Sequence, residues 1–143
     1  MNINAFKIMD IAASGMTAER FRSEVISNNL ANANTTRTEN GGPYRRKIVT
    51  FKEVLNKEKA TKDEQLSGVK VGKLAEDKSP FRLVYDPGHP DADENGYVKY
   101  PNVNVLREMV DLITAQRAYE ANVAVVNSAK SMFNSALSIG RGA

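Results

Sequence analysis

The chain has 143 residues and a mass of 15.7 kDa, enough for one domain or for a small domain with extended arms. Its 20 Lys+Arg against 17 Asp+Glu leave a net charge of +3, too little for a nucleic-acid footprint despite a pI near 9.2. It has no Cys, one His and no run approaching about 18 apolar residues, which excludes disulfides, thiol nucleophiles, Cys-zinc sites, histidine cages and membrane-spanning helices.

The first segment reads as a helix from about Asn4 to about Ala31. Ile11, Ala18, Phe21 and Val25 form one apolar stripe, and Met9, Ala13 and Met16 form a second beside it. Gly15 interrupts the pattern at a cost of about 1 kcal/mol relative to Ala. The segment closes on Asn28, Asn29, Leu30, Ala31, Asn32, Ala33 and Asn34. Asn tolerates the left-handed conformation where a helix ends, so a helix end is one reading. The other is an uncharged strip of amide donors and acceptors that touches a partner.

The middle, residues 37–101, reads as short strands and turns. It holds all five prolines and 24 of the 37 charges, against six charges in 1–36 and seven in 102–143. Proline is excluded from helix interiors, so this partition marks three segments. Turns are expected at Gly41-Gly42-Pro43 and Asp86-Pro87-Gly88. Strands are expected at Arg45–Leu55, around Val69, Val71 and Leu74, at Phe81, Leu83 and Tyr85, and at Tyr97, Val98 and Tyr100. Lys57 to Gln65 is almost entirely polar and reads as a solvated loop. Arg45-Arg46-Lys47 reads as a solvent-facing basic cluster, with an acidic partner surface as the alternative.

Three motifs in this middle raise chemistry. Gly68-Val69-Lys70-Val71-Gly72-Lys73 has the look of a phosphate loop but is one residue short, and Leu74 stands where a magnesium-binding hydroxyl is needed. His89 lies near Asp86 and Asp91, which makes an acid/base unit conceivable, but no nucleophile or second His accompanies it. A turn histidine bonded to a neighbouring carboxylate is the simpler reading. Asp91-Ala92-Asp93-Glu94-Asn95-Gly96 fits the first half of a calcium loop, whereas Asn102 stands where a bidentate Glu is required. A calcium- or glycan-binding module built on this turn is therefore the rival function, and a polar turn its simpler alternative.

The last segment reads as one long helix, opening at Asn102 or Asn104 and stopping at Gly140. Val105, Met109, Leu112, Gln116, Tyr119, Val123, Val126, Lys130, Phe133 and Leu137 step by four and three in strict alternation, a heptad seam. A second row one residue earlier runs through Ala118, Asn122, Val125, Ala129, Met132, Ala136 and Ile139. The two rows make a face too wide for a two-stranded coil. The ordinary alternative is the core helix of a bundle. The fold class expected is α+β. Its assembly domain is a terminal helix pair, residues 1–36 and 102–143, packed as a coiled coil. Residues 37–101 form a small β-rich segment. Pairing the two helices buries one stripe of each, and the apolar remainder marks an association surface. Heterologous patches repeated without closure build a helical filament.

The stretch from Ile11 reads I-A-A-S-G-M-T-A-E-R, followed by S-N-N-L-A-N-A-N-T and T-R-T-E-N-G-G-P-Y-R-R-K up to Lys47. Together with D-P-G-H-P-D-A-D-E-N-G-Y-V-K-Y-P-N-V-N at Asp86–Asn104 and E-M-V-D-L-I-T-A-Q-R-A-Y-E-A-N at Glu108–Asn122, it resembles the bacterial flagellar rod and hook proteins, the proximal-rod members above all. The resemblance spans nearly the whole chain and is weakest at residues 56–78. It implies a structural, non-enzymatic subunit of the rod that carries torque from rotor to hook, with no cofactor, no small-molecule substrate and no nucleic acid. It implies partners that are further copies of the chain, the rod proteins FlgB, FlgF and FlgG and the adapter FliE. It also implies a periplasmic place in the basal body, reached through the flagellar type III apparatus without a cleaved signal. The opening residues Met1 to Lys7, which lack a basic-then-apolar layout, agree with that expectation.

Overall fold

A computed structural model of the chain describes residues 5–55 and 66–141. The element order is α1 (Ala5–Ala31), β1 (Lys47–Leu55), β2 (Leu66–Glu76), β3 (Arg82–Tyr85), β4 (Tyr97–Tyr100) and α2 (Val105–Arg141). β1 pairs with β2 in one two-stranded sheet and β3 with β4 in another. The class is α+β, as expected, with long helices at both ends of the sequence. The loop expected at Lys57–Gln65 lies outside the described residues.

Local chemistry sets the element ends. Asn104 caps α2: its Oδ1 accepts from the Arg107 amide at 3.1 Å, and its carbonyl from the Glu108 amide at 2.9 Å. Gly140 does not stop α2, which runs through it to Arg141; a lone glycine lowers helix propensity without forbidding the conformation. α1 does not leave through a left-handed asparagine. Among the described residues no non-glycine residue has a positive φ, and the helix instead tightens, Ala33 N–H donating to the Leu30 carbonyl at 3.2 Å. Gly41 and Gly42, at φ of 78° and 77°, supply the left-handed pair that folds the Thr38–Gly42 turn.

The chain divides into two compact units. The first contains the described residues up to Arg22, those within Phe51–Gly72, and those from Thr114 onward. Here α1 and α2 run antiparallel: Gly15 faces Asn122, and the Phe6 ring meets Phe133 edge-on at 5.7 Å. The buried side chains are small, namely Ala12, Ala18, Ala115 and Ala129. A Cβ on Gly15 would lie 2.9 Å from the Asn122 amide nitrogen, so glycine here permits close approach instead of merely weakening the helix. The supposed phosphate loop is strand β2. Its Gly68, at φ 104°, lies against α1, where Ser14 Oγ accepts from the Val69 amide at 3.0 Å and donates to the Ile11 carbonyl at 2.6 Å.

The second unit contains Ser23–Thr50 and Lys73–Ile113. β3 and β4 are antiparallel, with Arg82 opposite Tyr100 and Tyr85 opposite Tyr97. The rings of Tyr85 and Tyr97 pack edge-on at 5.3 Å, and Val98 is fully buried. Gly96, at φ 79°, turns the chain into β4 where a Cβ would press on Tyr85 and Pro87. Val25, Ile26, Ala33 and Pro101 complete the apolar interior, which also encloses two polar side chains, Asn29 and Glu108.

Candidate functional site

Asn29 is 1 % exposed, and every bonding position of its amide is used. Nδ2 donates to the Lys47 carbonyl and to Glu108 Oε2, each at 2.9 Å. Oδ1 accepts from the Lys47 amide and from the Tyr44 hydroxyl, again at 2.9 Å. The side chain thus pairs with both backbone groups of Lys47 as a neighbouring strand would. The sequence reads Asn29 as part of a contact strip toward other subunits; the structure commits it within the chain. Asn28 and Asn32 lie toward the surface, their amides bonded back to the Glu24 and Asn28 carbonyls, and Asn34 is exposed. Leu30 is half-buried.

Arg46 completes the cluster. Its Nε donates to Glu108 Oε1 at 2.7 Å, NH1 reaches Asp77 at 3.4 Å and NH2 reaches Asp111 at 3.8 Å. The Arg45-Arg46-Lys47 run is therefore not a solvent-facing patch. Arg45 donates to the Asp77 and Ser79 carbonyls and stacks over Phe81 at 4.1 Å, and Lys47 lies over the Tyr44 ring at 5.9 Å. Burial works against the Arg46 charge, yet the hydrogen bond and charge of Glu108, and then those of Asp77, outweigh it and raise its pKa. The Asp77 carboxyl is held below its ordinary value, chiefly by the Ser79 amide and hydroxyl and then by Arg46, with burial opposing. Burial, with Glu108 and Glu76 adding to it, raises Tyr44 above the usual phenol range, which favours the neutral hydroxyl that donates to Asn29. Asn102 joins the set, accepting from the Arg46 amide at 2.9 Å and donating to the Asp77 carbonyl at 3.0 Å.

The acidic turn is occupied by its own chain. Asp91 accepts from the Thr36 hydroxyl at 2.8 Å and pairs with Arg37 at 2.6 Å. Asp93 Oδ1 accepts from the amides of Asn95 and Tyr97, the bonding of a polar turn. His89 does not bond a carboxylate; its Nδ1 accepts from the Asp91 amide at 3.1 Å. A cleft of about 320 Å³ beside the turn is lined by Thr36, Arg37, Pro43, Asp91 and Lys99 among others, and the Thr36 hydroxyl and Arg37 are the groups that bond Asp91 there. No group of three or more His, Cys, Asp or Glu among the described residues is arranged to hold a metal ion. Nor is any helix among them long and apolar enough to cross a membrane.

The heptad residues divide by exposure. Ala18 and Val25 are buried, and Leu112, Val123, Val126 and Phe21 are half-buried. Val105, Met109, Tyr119, Phe133, Leu137 and Ile11 are exposed, as are Gln116 and Lys130. The inward line of α2 runs through Glu108, Ala115, Asn122 and Ala129, one residue earlier than the heptad seam; Asn122 and Ala129 belong to the second row read from the sequence. Leu106, Val110 and Ile113, absent from that seam, add to the exposed apolar surface; Leu106 is 73 % and Ile139 78 % exposed. They lie one residue after the seam positions 105, 109 and 112, on the side opposite the second row, so neither row read from the sequence contains them.

Two family matches and a set of relatives fit this architecture. Residues 9–37 match the family described as flagella basal body rod protein, and residues 94–139 match the flagellar basal body rod FlgEFG protein C-terminal family. The chain is 48 % identical to the flagellar basal-body rod protein FlgC of Borreliella burgdorferi, covering 96 % of this chain and 98 % of that one. It is 47 % identical to the FlgC of Bacillus subtilis over 97 % of this chain and 100 % of the other. With the FlgC of Salmonella typhimurium the figures are 45 %, 94 % and 96 %. End-to-end identity at this level, with both terminal helices and the strands between them accounted for, places the chain in the FlgC family of flagellar basal-body rod proteins.

Proposed function

We propose that the chain works as a structural subunit of the proximal rod, packing its terminal helices against neighbouring subunits so that torque passes from rotor to hook. The observation that carries this reading is the exposed apolar surface of α2. Its inward line uses small or polar residues, while Val105, Leu106, Met109, Met132, Leu137 and Ile139 face outward. Each such side chain buried by a neighbour would contribute roughly 1.5–3 kcal/mol. Many contacts of that size in parallel suit a part that must resist torsion.

The neighbours proposed are further copies of the chain, FlgB, FlgF, FlgG and the adapter FliE, in the periplasmic part of the basal body. Export through the flagellar type III apparatus belongs to the same proposal. The exposed heptad residues, with Asn28, Asn32 and Asn34, are proposed as the inter-subunit contacts, and catalysis has no part in it. The test is replacement of Met132 and Ile139 by Asp in a motile cell. The variants should be made and exported yet fail to enter isolated basal bodies, and motility should be lost. Normal motility with both changes would refute the reading.

A further inference from the structure

We infer that Glu108, held by Arg46 and Asn29, is a register pin: it selects one rotational and axial setting of the first turns of α2 against the last turns of α1. This rests on the second unit alone and holds whatever the chain assembles with.

The apolar contacts there do not discriminate between settings. Val25, Ile26 and Ala33 are aliphatic, and such contacts are non-directional. The polar contacts do discriminate. Glu108 is fully buried, with one carboxylate oxygen on Arg46 Nε and the other on Asn29 Nδ2. Turning α2 by one residue, about 100°, would bring Arg107 or Met109 inward. Sliding α1 by one turn would put Val25 or Ala33 in the place of Asn29. Turning α2 takes Glu108 from both Arg46 and Asn29, and sliding α1 takes Asn29 from Glu108 Oε2 and from the backbone of Lys47, so either move leaves a buried carboxylate oxygen without its partner. The same inward aim decides what faces out, because Leu106, Met109, Val110 and Ile113 lie on the other sides of these turns. A buried ion pair is weak evidence for stability, since well-packed apolar replacements often hold a fold as firmly. A polar group on an otherwise apolar seam is better attested as a register device.

The chain has no cysteine, so nitroxide labels on Ser27→Cys and Arg107→Cys, both exposed positions, report one distance cleanly. With Glu108 and Arg46 intact the distance distribution should be single and narrow. In the Arg46→Met/Glu108→Leu double variant, far-ultraviolet circular dichroism should remain helical and melting cooperative. The distribution should broaden or split, with components displaced by about 5 Å, the pitch of one helical turn. An unchanged narrow distance in the double variant would overturn the inference. So would its unfolding, which would make the pair a source of stability, or a broad distribution in the parent chain.

Discussion

The amide of Asn29 meets the carboxylate of Glu108 at 2.9 Å, although 79 residues separate the two in the sequence. The same amide closes on both backbone groups of Lys47, so one buried side chain ties the end of α1 to the start of β1 and to α2. Replacing it by a non-bonding group strands four partners at once. Asn29→Leu should therefore cost about 3–5 kcal/mol, since each buried group left unpaired costs about 1–3 kcal/mol and some regain water. Asn29→Asp should be no milder, because it sets a second carboxylate against Glu108. Urea titration of the two variants beside the parent chain checks this, and a loss below about 1 kcal/mol would contradict the geometry.

Gly68 and Ser14 make a second such pair. A Cβ on Gly68 would drive into Ser14 Oγ, and the backbone there is already at φ 104°. Gly68→Ala should destabilise the chain by about 2–3 kcal/mol from strain plus collision. Ser14→Ala should cost about 1 kcal/mol by losing the bond from the Val69 amide. The double variant should be less damaging than the two effects added, because removing the hydroxyl relieves the collision. A double-mutant cycle by thermal melting measures that coupling, and strict additivity would count against it.

The long-period features of this fold are legible in the residues themselves. Proline confined to 37–101 delimits the helices, and the alternation of Leu83 and Tyr85 marks β3. The heptad period is also legible, and the second row, one residue earlier, carries the inward Asn122 and Ala129. Which of the two rows faces α1 is set by the close approach of Gly15 to Asn122, a property of the partner helix that no pattern within α2 contains. The polar cluster was hidden for the same reason. Arg46 sits in a basic run of the kind that usually faces solvent, and only the distant carboxylates of Asp77 and Glu108 bring it inside. Likewise the EF-hand likeness of Asp91–Gly96 is local, whereas the fate of Asp91 is set by Thr36 and Arg37, 55 and 54 positions earlier in the chain.

Asp77 makes the cluster sensitive to acid. Its carboxyl has a lower pKa in the folded chain than in an unfolded one, so the folded state binds fewer protons as pH falls toward that range. The stabilisation it brings is complete above the ordinary carboxylate value of about 3.9 and is lost as pH drops through the lowered one. Urea midpoints measured from pH 6 down to pH 2 should therefore fall more steeply for the parent chain than for Asp77→Asn. The variant should already be weaker at neutral pH, because an amide cannot accept from both Ser79 groups and pair with Arg46 as a carboxylate does. Parallel curves for the two proteins would remove Asp77 from the acid response.

Leu106 and Ile113 separate folding from association. Both are exposed on α2 in the unit that encloses Glu108, at 73 % and 52 %. A change confined to exposed positions rarely moves stability by more than about 0.5 kcal/mol, so Leu106→Ser and Ile113→Ser should melt like the parent chain. If a neighbouring subunit buries these side chains, each truncation removes roughly 1.5–3 kcal/mol from the interface, repeated at every copy. Co-sedimentation with rod proteins and swarm diameter should then fall sharply while the monomer stays intact. Ala115→Ser provides the opposite control. Its methyl is fully buried, so a polar replacement should lower the melting temperature directly. Unchanged assembly in the Leu106 and Ile113 variants would confine the working surface to the other end of α2, where Met132 and Ile139 stand exposed.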